Sequence, residues 1–174
     1  SHLVDRLLAK GEVVVCVDNF FLGKKQHLKD ALKNENFKLC IFDLLDLNEL
    51  DALFKKEKFD FVYHLAANSD IKAGIVSTNR DLQLTFLITY NILECMRKNN
   101  VGKILFTSSP TVFGNHNKPL IEDLPMKPES LYGASKLASE AYLRAFSSLY
   151  NIQTWILRLS NMVGERTTHG ILFD

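Results

Sequence analysis

No apolar run in the chain approaches the roughly 18 residues that a membrane-spanning helix needs, and the first residues carry no signal-peptide pattern. A soluble, unexported protein is therefore expected. Cysteine is scarce: Cys16, Cys40 and Cys95 stand singly in apolar runs, without paired spacing or neighbouring histidines. That argues against a disulfide framework and a metal site, and it suits buried thiols of a reducing compartment, with the cytoplasm as the expected location. An excess of charge of one sign is missing too. The 21 basic and 20 acidic side chains are interspersed and leave a formal net charge of +1, so nothing in the pattern argues for nucleic acid or a membrane surface as partner. Internal repeats, low-complexity tracts and interdomain linkers are also absent. What is present, 174 residues of which 47% are hydrophobic, is one domain's worth of material and enough to bury a substantial core.

Both ends read as cut. The chain opens already in helical pattern, with apolar residues at 3, 4, 7 and 8 and Gly11 as a helix stop, and it closes on the apolar run Ile171-Leu172-Phe173-Asp174 with no cap. Natural termini are more often polar and frayed. In between, apolar runs alternate with helical patterns. Strands are expected over 12–18, 37–43, 60–67, 103–109 and 152–159, and helices over 24–33, 47–56, 81–98 and from 131 to about 149. The run Glu12-Val13-Val14-Val15-Cys16-Val17-Asp18 has the continuous β-branched character of a strand buried on both faces. This rhythm predicts a doubly wound, parallel α/β sheet. Ligands of such sheets gather at the carboxyl ends of the strands, where Asp18, Asp43, Ala66, Ala67, Ser108, Ser109 and Asn161 all fall.

Tyr132 and Lys136, in Tyr132-Gly133-Ala134-Ser135-Lys136, lie four residues apart and share a helix face. An ammonium beside a phenol favours the phenolate, which makes Tyr132 a candidate general acid/base. A solvated helix edge is the plain alternative. Ser109, at the end of a strand and before a proline-bearing loop, adds a hydroxyl facing the same pocket, although strand-end serines are commonly turn formers. Asp18 ends the strand after the first helix, the position from which an acid in dinucleotide folds binds the adenosine ribose and repels a 2′-phosphate. No arginine follows directly, which favours NAD over NADP, while Lys24 and Lys25 lie nearby. A turn or helix-cap acid is the alternative for Asp18, and more so for Asp43.

Taken in order and spacing, these pieces resemble the cofactor-binding part of the extended short-chain dehydrogenases/reductases, and within them the NAD-dependent epimerase/dehydratase family of the UDP-glucose 4-epimerase type. The resemblance covers essentially the whole chain. It rests on Ser1-His2-Leu3-Val4, on Val17-Asp18-Asn19-Phe20 with Gly23, on Asp43-Leu44 and on His64-Leu65-Ala66-Ala67. It rests further on Thr107-Ser108-Ser109-Pro110-Thr111-Val112-Phe113-Gly114, on Tyr132-Gly133-Ala134-Ser135-Lys136-Leu137, and on Arg158-Leu159-Ser160-Asn161-Met162-Val163-Gly164. It implies that Ser109 and Tyr132 bind the reacting sugar hydroxyl and that Lys136 holds the nicotinamide ribose and tunes Tyr132. Asp18 and Asn19 would meet the adenosine ribose, Asp43 and Leu44 would flank the adenine, Leu65, Ala66 and Ala67 would lie along the dinucleotide, and Asn161 would meet the nucleotide-sugar substrate.

Departures from the family pattern carry information. The first strand and glycine-rich loop, which in the family precede Ser1 directly, do not occur in these residues, so 1–174 reads as a Rossmann-type NAD-binding domain truncated at both ends, with the substrate domain mostly beyond 174. Thr85 stands where the family usually has Asn, and Phe113 replaces the usual Tyr as a packing change. Pro110-Thr111 occupies the place of the Asp-Glu pair with which related dehydratases eliminate water, which disfavours dehydration. The expected activity is nucleotide-sugar epimerisation by transient oxidation. Net oxidation or reduction, a non-catalytic nucleotide sensor, and an inactive fragment are the alternatives. The apolar stripe Leu137, Ala138, Ala141, Tyr142, Ala145, Phe146 and Leu149 resembles the family's dimer-forming surface, so a homodimer is expected, against a simple core stripe.

Overall fold

The structure is a computed structural model that describes residues 1–68, 70–117 and 119–166. The closing run 171–174 and His169-Gly170 lie outside the described residues. Two compact units divide the chain: Ser1–Asp46 with the segment from Val163 onward, and Leu47–Met162.

In the first unit, α1 (His2–Leu8) leads through Gly11, at φ +81°, into β1 (Val14–Val17), which pairs in parallel with β2 (Phe37–Cys40), Val14 opposite Phe37 and Val17 opposite Cys40. β2 is the hydrogen-bonded neighbour of β1, and the strand is half-buried along its whole length instead of enclosed on both faces. The helix expected over 24–33 is instead two 3-10 turns, Lys25–Leu28 and Ala31–Lys33. Leu28 and Ala31, three residues apart, are the side chains this segment buries, a spacing that three-residue turns satisfy.

The second unit is built on a three-stranded parallel sheet in the order β3 (Val62–His64), β4 (Lys103–Ser108), β5 (Gln153–Arg158). Period-two alternation places Ile104, Phe106 and Ser108 of the central strand in the core. The long helix α6 (Leu131–Tyr150) packs over β4 and β5, with Leu143 and Phe146 inward. The helix α5 (Ile88–Lys98) adds Ile92, Leu93 and Met96, and α2 (Leu47–Glu57) seals the core with Leu50 and Phe54. Elsewhere on the sheet, Phe61 stacks on Trp155 at 5.4 Å between ring centroids. Among the described residues no helix is long and apolar enough to cross a membrane.

The parallel α/β class is the one expected, and the strands fall where the apolar runs lie. Two features were not foreseen. A short helix α3 (Ile71–Val76) follows β3, and the expected helix over 81–98 begins as α4 (Asn79–Asp81), widens into a π turn (Leu82–Leu87) and only then continues as α5. The widened turn leaves the Thr85 carbonyl to accept from the Thr89 hydroxyl at 2.6 Å.

That bond fixes a proton elsewhere. Thr89 has one hydroxyl hydrogen and gives it to Thr85, so His64 Nε2, 2.9 Å from the same hydroxyl oxygen, must be the donor in their contact. His64 is accordingly a neutral ring carrying its hydrogen on Nε2. Burial, with the Lys136 charge adding to it, lowers its pKa to about 3. A histidine whose pKa is lower folded than unfolded binds fewer protons when folded, so stability falls as pH drops from about 6.5 toward 3. His64→Leu should remove up to about 1.4 kcal/mol per pH unit of that acid loss, measured as denaturant midpoints between pH 4 and pH 7.

Candidate active site

At the carboxyl edge of the three-stranded sheet, β4 ends in Ser108 and Ser109, and Ser109 caps the 3-10 turn Pro110–Phe113. Its Oγ accepts from the Thr111 amide at 3.3 Å and from the Thr111 hydroxyl at 3.0 Å. Both lone pairs are thus occupied, and the serine's own hydrogen remains for another acceptor. The Tyr132 phenol is near enough for the serine hydroxyl to favour its ionised form. The strand-end serine is therefore a turn former and a phenol partner at once.

Tyr132 reaches this position because α6 starts hard against the turn. Ser130 caps the helix by accepting from the Gly133 amide at 3.0 Å, and a Cβ on Gly133 would stand 2.6 Å from the Thr111 carbonyl oxygen. The hydrogen on Gly133 thus sets the gap between helix and turn, and with it the distance between phenol and serine.

Lys136, 2% exposed, donates through Nζ to the Thr107 carbonyl at 2.6 Å and lies 4.6 Å from the Phe106 ring centroid and 5.7 Å from that of Tyr132. Burial lowers its pKa to about 8, against the Glu140 carboxylate, which raises it. The expectation that this ammonium favours the phenolate is not what the structure shows. Burial first and the Asp81 carboxylate second raise the Tyr132 phenol above its ordinary pKa, opposed by the Ser109 hydrogen bond. The physical reason is that the desolvated ammonium is directed at the Thr107 carbonyl and the Phe106 face.

One turn beyond Lys136 sits a residue the sequence reading passed over. Glu140 is fully buried and accepts from Ser108 at 2.6 Å, from Arg158 at 3.0 and 2.8 Å, and from Arg144 at 3.1 Å. Burial alone would raise its carboxyl, yet the Arg158 and Ser108 hydrogen bonds and the two guanidinium charges hold it below the usual range. The signal was available: Tyr132, Lys136, Glu140 and Arg144 repeat at four-residue spacing. Phe113, in place of the family's Tyr, is buried, with the Arg158 guanidinium 4.9 Å from its ring centroid. The packing change expected there is what is found.

The segment after β3 keeps Leu65 and Ala66 exposed and Ala67 half-buried at the same sheet edge, and Asn161 lies exposed beyond the end of β5. In the first unit, Asp18, Asn19 and Asp43 come together at the carboxyl ends of β1 and β2. Asn19 donates to Asp43 Oδ2 at 3.0 Å, and Leu44 follows directly. The acids also serve their own turns, Asp18 accepting from the Phe20 amide at 2.7 Å and Asp43 from the Leu45 amide at 2.9 Å. Both readings of Asp18 and Asp43 thus have support in the geometry. A hollow of about 700 Å³ in the second unit, lined by Asp60, Lys103 and Gln153 among others, opens at the amino edge of the sheet, away from these groups. Among the described residues no cluster of His, Cys, Asp or Glu could hold a metal ion.

A serine, a phenol and a buried lysine thus gather at the carboxyl edge of a parallel α/β sheet, the edge at which such folds bind their ligands, as the resemblance to short-chain dehydrogenases/reductases implies. Residues 1–172 match the NAD dependent epimerase/dehydratase family. The chain is 35% identical over 168 residues to a putative UDP-glucose 4-epimerase of Methanocaldococcus jannaschii, covering 95% of this chain and 53% of that protein. It is 33% identical over 173 residues to a UDP-glucose 4-epimerase of Mycolicibacterium smegmatis, covering 98% and 55%. The solved structure of the Thermus thermophilus UDP-glucose 4-epimerase in complex with NAD superposes with a TM-score of 0.88 at 29% identity, covering 98% of this chain and 54% of that one. The chain belongs to the NAD-dependent epimerase/dehydratase family, and it spans about half the length of the curated relatives it matches.

Gly133→Ala should cost about 1–3 kcal/mol by overpacking against Thr111 and should part Ser109 from Tyr132. The denaturant midpoint and a crystal structure of the variant check both effects.

Proposed function

We propose that this chain supplies the NAD-binding part of a cytoplasmic nucleotide-sugar epimerase that oxidises a sugar hydroxyl transiently and reduces it again, with the domain that selects the sugar mostly outside residues 1–174. The observation that carries this reading is the gathering of Ser109, Tyr132 and the buried Lys136 at the carboxyl edge of the three-stranded sheet, with Thr111 donating twice to the serine oxygen. The residues present suit the cofactor. A strand-end acid, Asp18, accompanied by Asn19, would hold the adenosine ribose hydroxyls. Asp43 and Leu44 would border the adenine, the small side chains of Ala66 and Ala67 beside Leu65 would let the dinucleotide pass close to the backbone, and Lys136 would hold the nicotinamide ribose. NAD, when bound, supplies the acceptor and then the donor of hydride.

What the chain's own residues do follows from their protons. Once ionised, Tyr132 accepts the proton of the reacting sugar hydroxyl while Ser109 donates its own hydrogen to the same oxygen, and Tyr132 returns the proton when the sugar presents its other face. A phenol held above its ordinary pKa is a strong base once ionised and a correspondingly weak acid, so the first step needs its phenolate form. Elimination of water lacks its acid, because the Thr111 side chain that replaces it is a hydroxyl engaged with Ser109. Asn161, exposed beyond β5, would meet the nucleotide-sugar.

Tyr132→Phe in the native-length protein should lower kcat for interconversion of UDP-glucose and UDP-galactose by roughly 100- to 10,000-fold. Near-normal turnover would remove the mechanism, and NADH accumulating in step with wild-type turnover would mark a net oxidoreductase instead.

The same reading includes a homodimer. On α6 the expected stripe turns Ala141, Tyr142, Ala145 and Leu149 outward, leaves Leu137 and Ala138 half-buried and buries Phe146. Tyr142 meets Phe86 at 4.9 Å and Tyr90 at 6.3 Å, which makes an aromatic face with Leu149 71% exposed beside it. Tyr142→Asp should convert a dimer of the native-length protein into a monomer by sedimentation analysis.

A further inference from the structure

The mechanism above leaves one buried acid without a task. Asp81 closes α4, is 1% exposed, and accepts from the Asn68 side-chain amide at 2.8 Å. Asn68, itself 1% exposed, follows directly on Leu65–Ala67. Its amide also donates to the Asp70 carbonyl at 2.9 Å, its own carbonyl accepts from the Asp70 amide at 3.1 Å, and its backbone N–H donates to the Thr85 hydroxyl at 3.3 Å. The segment after β3 is therefore fastened at one residue to two side chains four positions apart, Asp81 before the π turn and Thr85 within it. On the other side of Asp81, a Cβ on Gly74 would collide with the carboxylate, so α3 closes over the acid through a glycine. α3, α4 and the π turn all pack on α6, the helix that carries Tyr132.

We propose that Asp81 is a positioning residue of this active site: it holds the segment after β3 through Asn68 and keeps a buried negative charge within reach of the Tyr132 phenol. The inference rests on the reading of Tyr132 as the proton acceptor. The placement supports its electrostatic half, because α4 packs on α6, and the direction agrees, the carboxylate being the second cause, after burial, of the raised proton affinity of Tyr132. Several other charged groups on elements packed against α6 have partners of their own. Arg158 of β5 is bound to Glu140, and on α5 Glu94 pairs with Arg97 at 2.7 Å and with Lys98 at 3.8 Å. Lys136 and Arg144 lie on α6 itself, Lys103 is at the far end of β4, Arg80 precedes Asp81, and α3 contributes Lys72 in sequence. Asp81 thus raises the phenol's proton affinity, while Lys136 is desolvated and directed at the Thr107 carbonyl.

The test separates this from the catalytic reading by measuring Tyr132 without turnover. In the native-length protein, Asp81→Asn keeps an oxygen acceptor for Asn68 and removes the charge. Tyrosinate absorbance is titrated in the protein and in its Tyr132→Phe counterpart, and their difference gives the Tyr132 pKa alone. Removal of the charge should lower that pKa by about half a unit to one unit, a roughly three- to tenfold change in proton affinity, and the acid limb of kcat/KM should move to lower pH by the same amount. An unmoved or raised Tyr132 titration overturns the proposal even if Tyr132→Phe abolishes turnover. Should Asp81→Asn fail to fold, Asp81→Ser, whose hydroxyl can also accept from Asn68, is read by the same criterion.

Discussion

The site depends on the buried pairing of Glu140 with Arg158. Through it α6 is tied to two strands at once, to β4 by the Ser108 hydroxyl and to β5 by the guanidinium, at the level where both strands end. Every chemically useful side chain of α6 lies one or two turns before that anchor. Breaking a buried pair by removing one partner typically costs about 3–5 kcal/mol, because the other charge is left unpaired in a poor solvent. Here it would also release the helix rotation that points Tyr132 at Ser109. An apolar pair of equal volume could hold helix and strands together, but it would not specify which face of α6 meets the strand ends.

Two opposite electrostatic strategies sit on either side of that anchor. Glu140 is buried and fully compensated, so its charge is secure and its role is architectural. Lys136 is buried with a carbonyl and an aromatic face as its nearest company, so its charge is precarious near neutral pH. Tyr132 is held protonated by the same desolvation. The resting site therefore stores protons on two groups whose affinities are displaced in opposite directions, the phenol's above its reference and the lysine's down to about 8. The phenol is thus the more tenacious of the two, and the lysine is the one whose charge a small change in surroundings can alter.

Much of this was readable from residue order. Apolar runs located the five strands of the described residues, since parallel strands carry their signal in continuous composition, and the hydroxyl, phenol and ammonium were found as types that work together. Harder to see were charges whose meaning depends on depth. Glu140 and Asp81 occur in helical stretches where an acid ordinarily faces water, and only the packing reveals that each is enclosed. The π turn escaped because it changes neither length nor composition. It alters only the hydrogen-bond ladder, and its trace in sequence is a pair of threonines, Thr85 and Thr89, at helical spacing. The pKa direction of Tyr132 was misjudged for a related reason: spacing along a helix states which groups are neighbours but not how much water remains around them.

The stacking of Trp155 on Phe61 has a practical consequence. Trp155 is the chain's one tryptophan, and the five tyrosines, at 63, 90, 132, 142 and 150, share its unit. Ultraviolet absorption above the phenylalanine band and intrinsic fluorescence therefore come from residues 47–162 alone, whereas β1, β2 and the Asp18–Asn19–Asp43 cluster are optically silent. Within residues 1–174, a bound nucleotide would perturb tryptophan and tyrosine emission only through the unit that holds Ser109 and Tyr132.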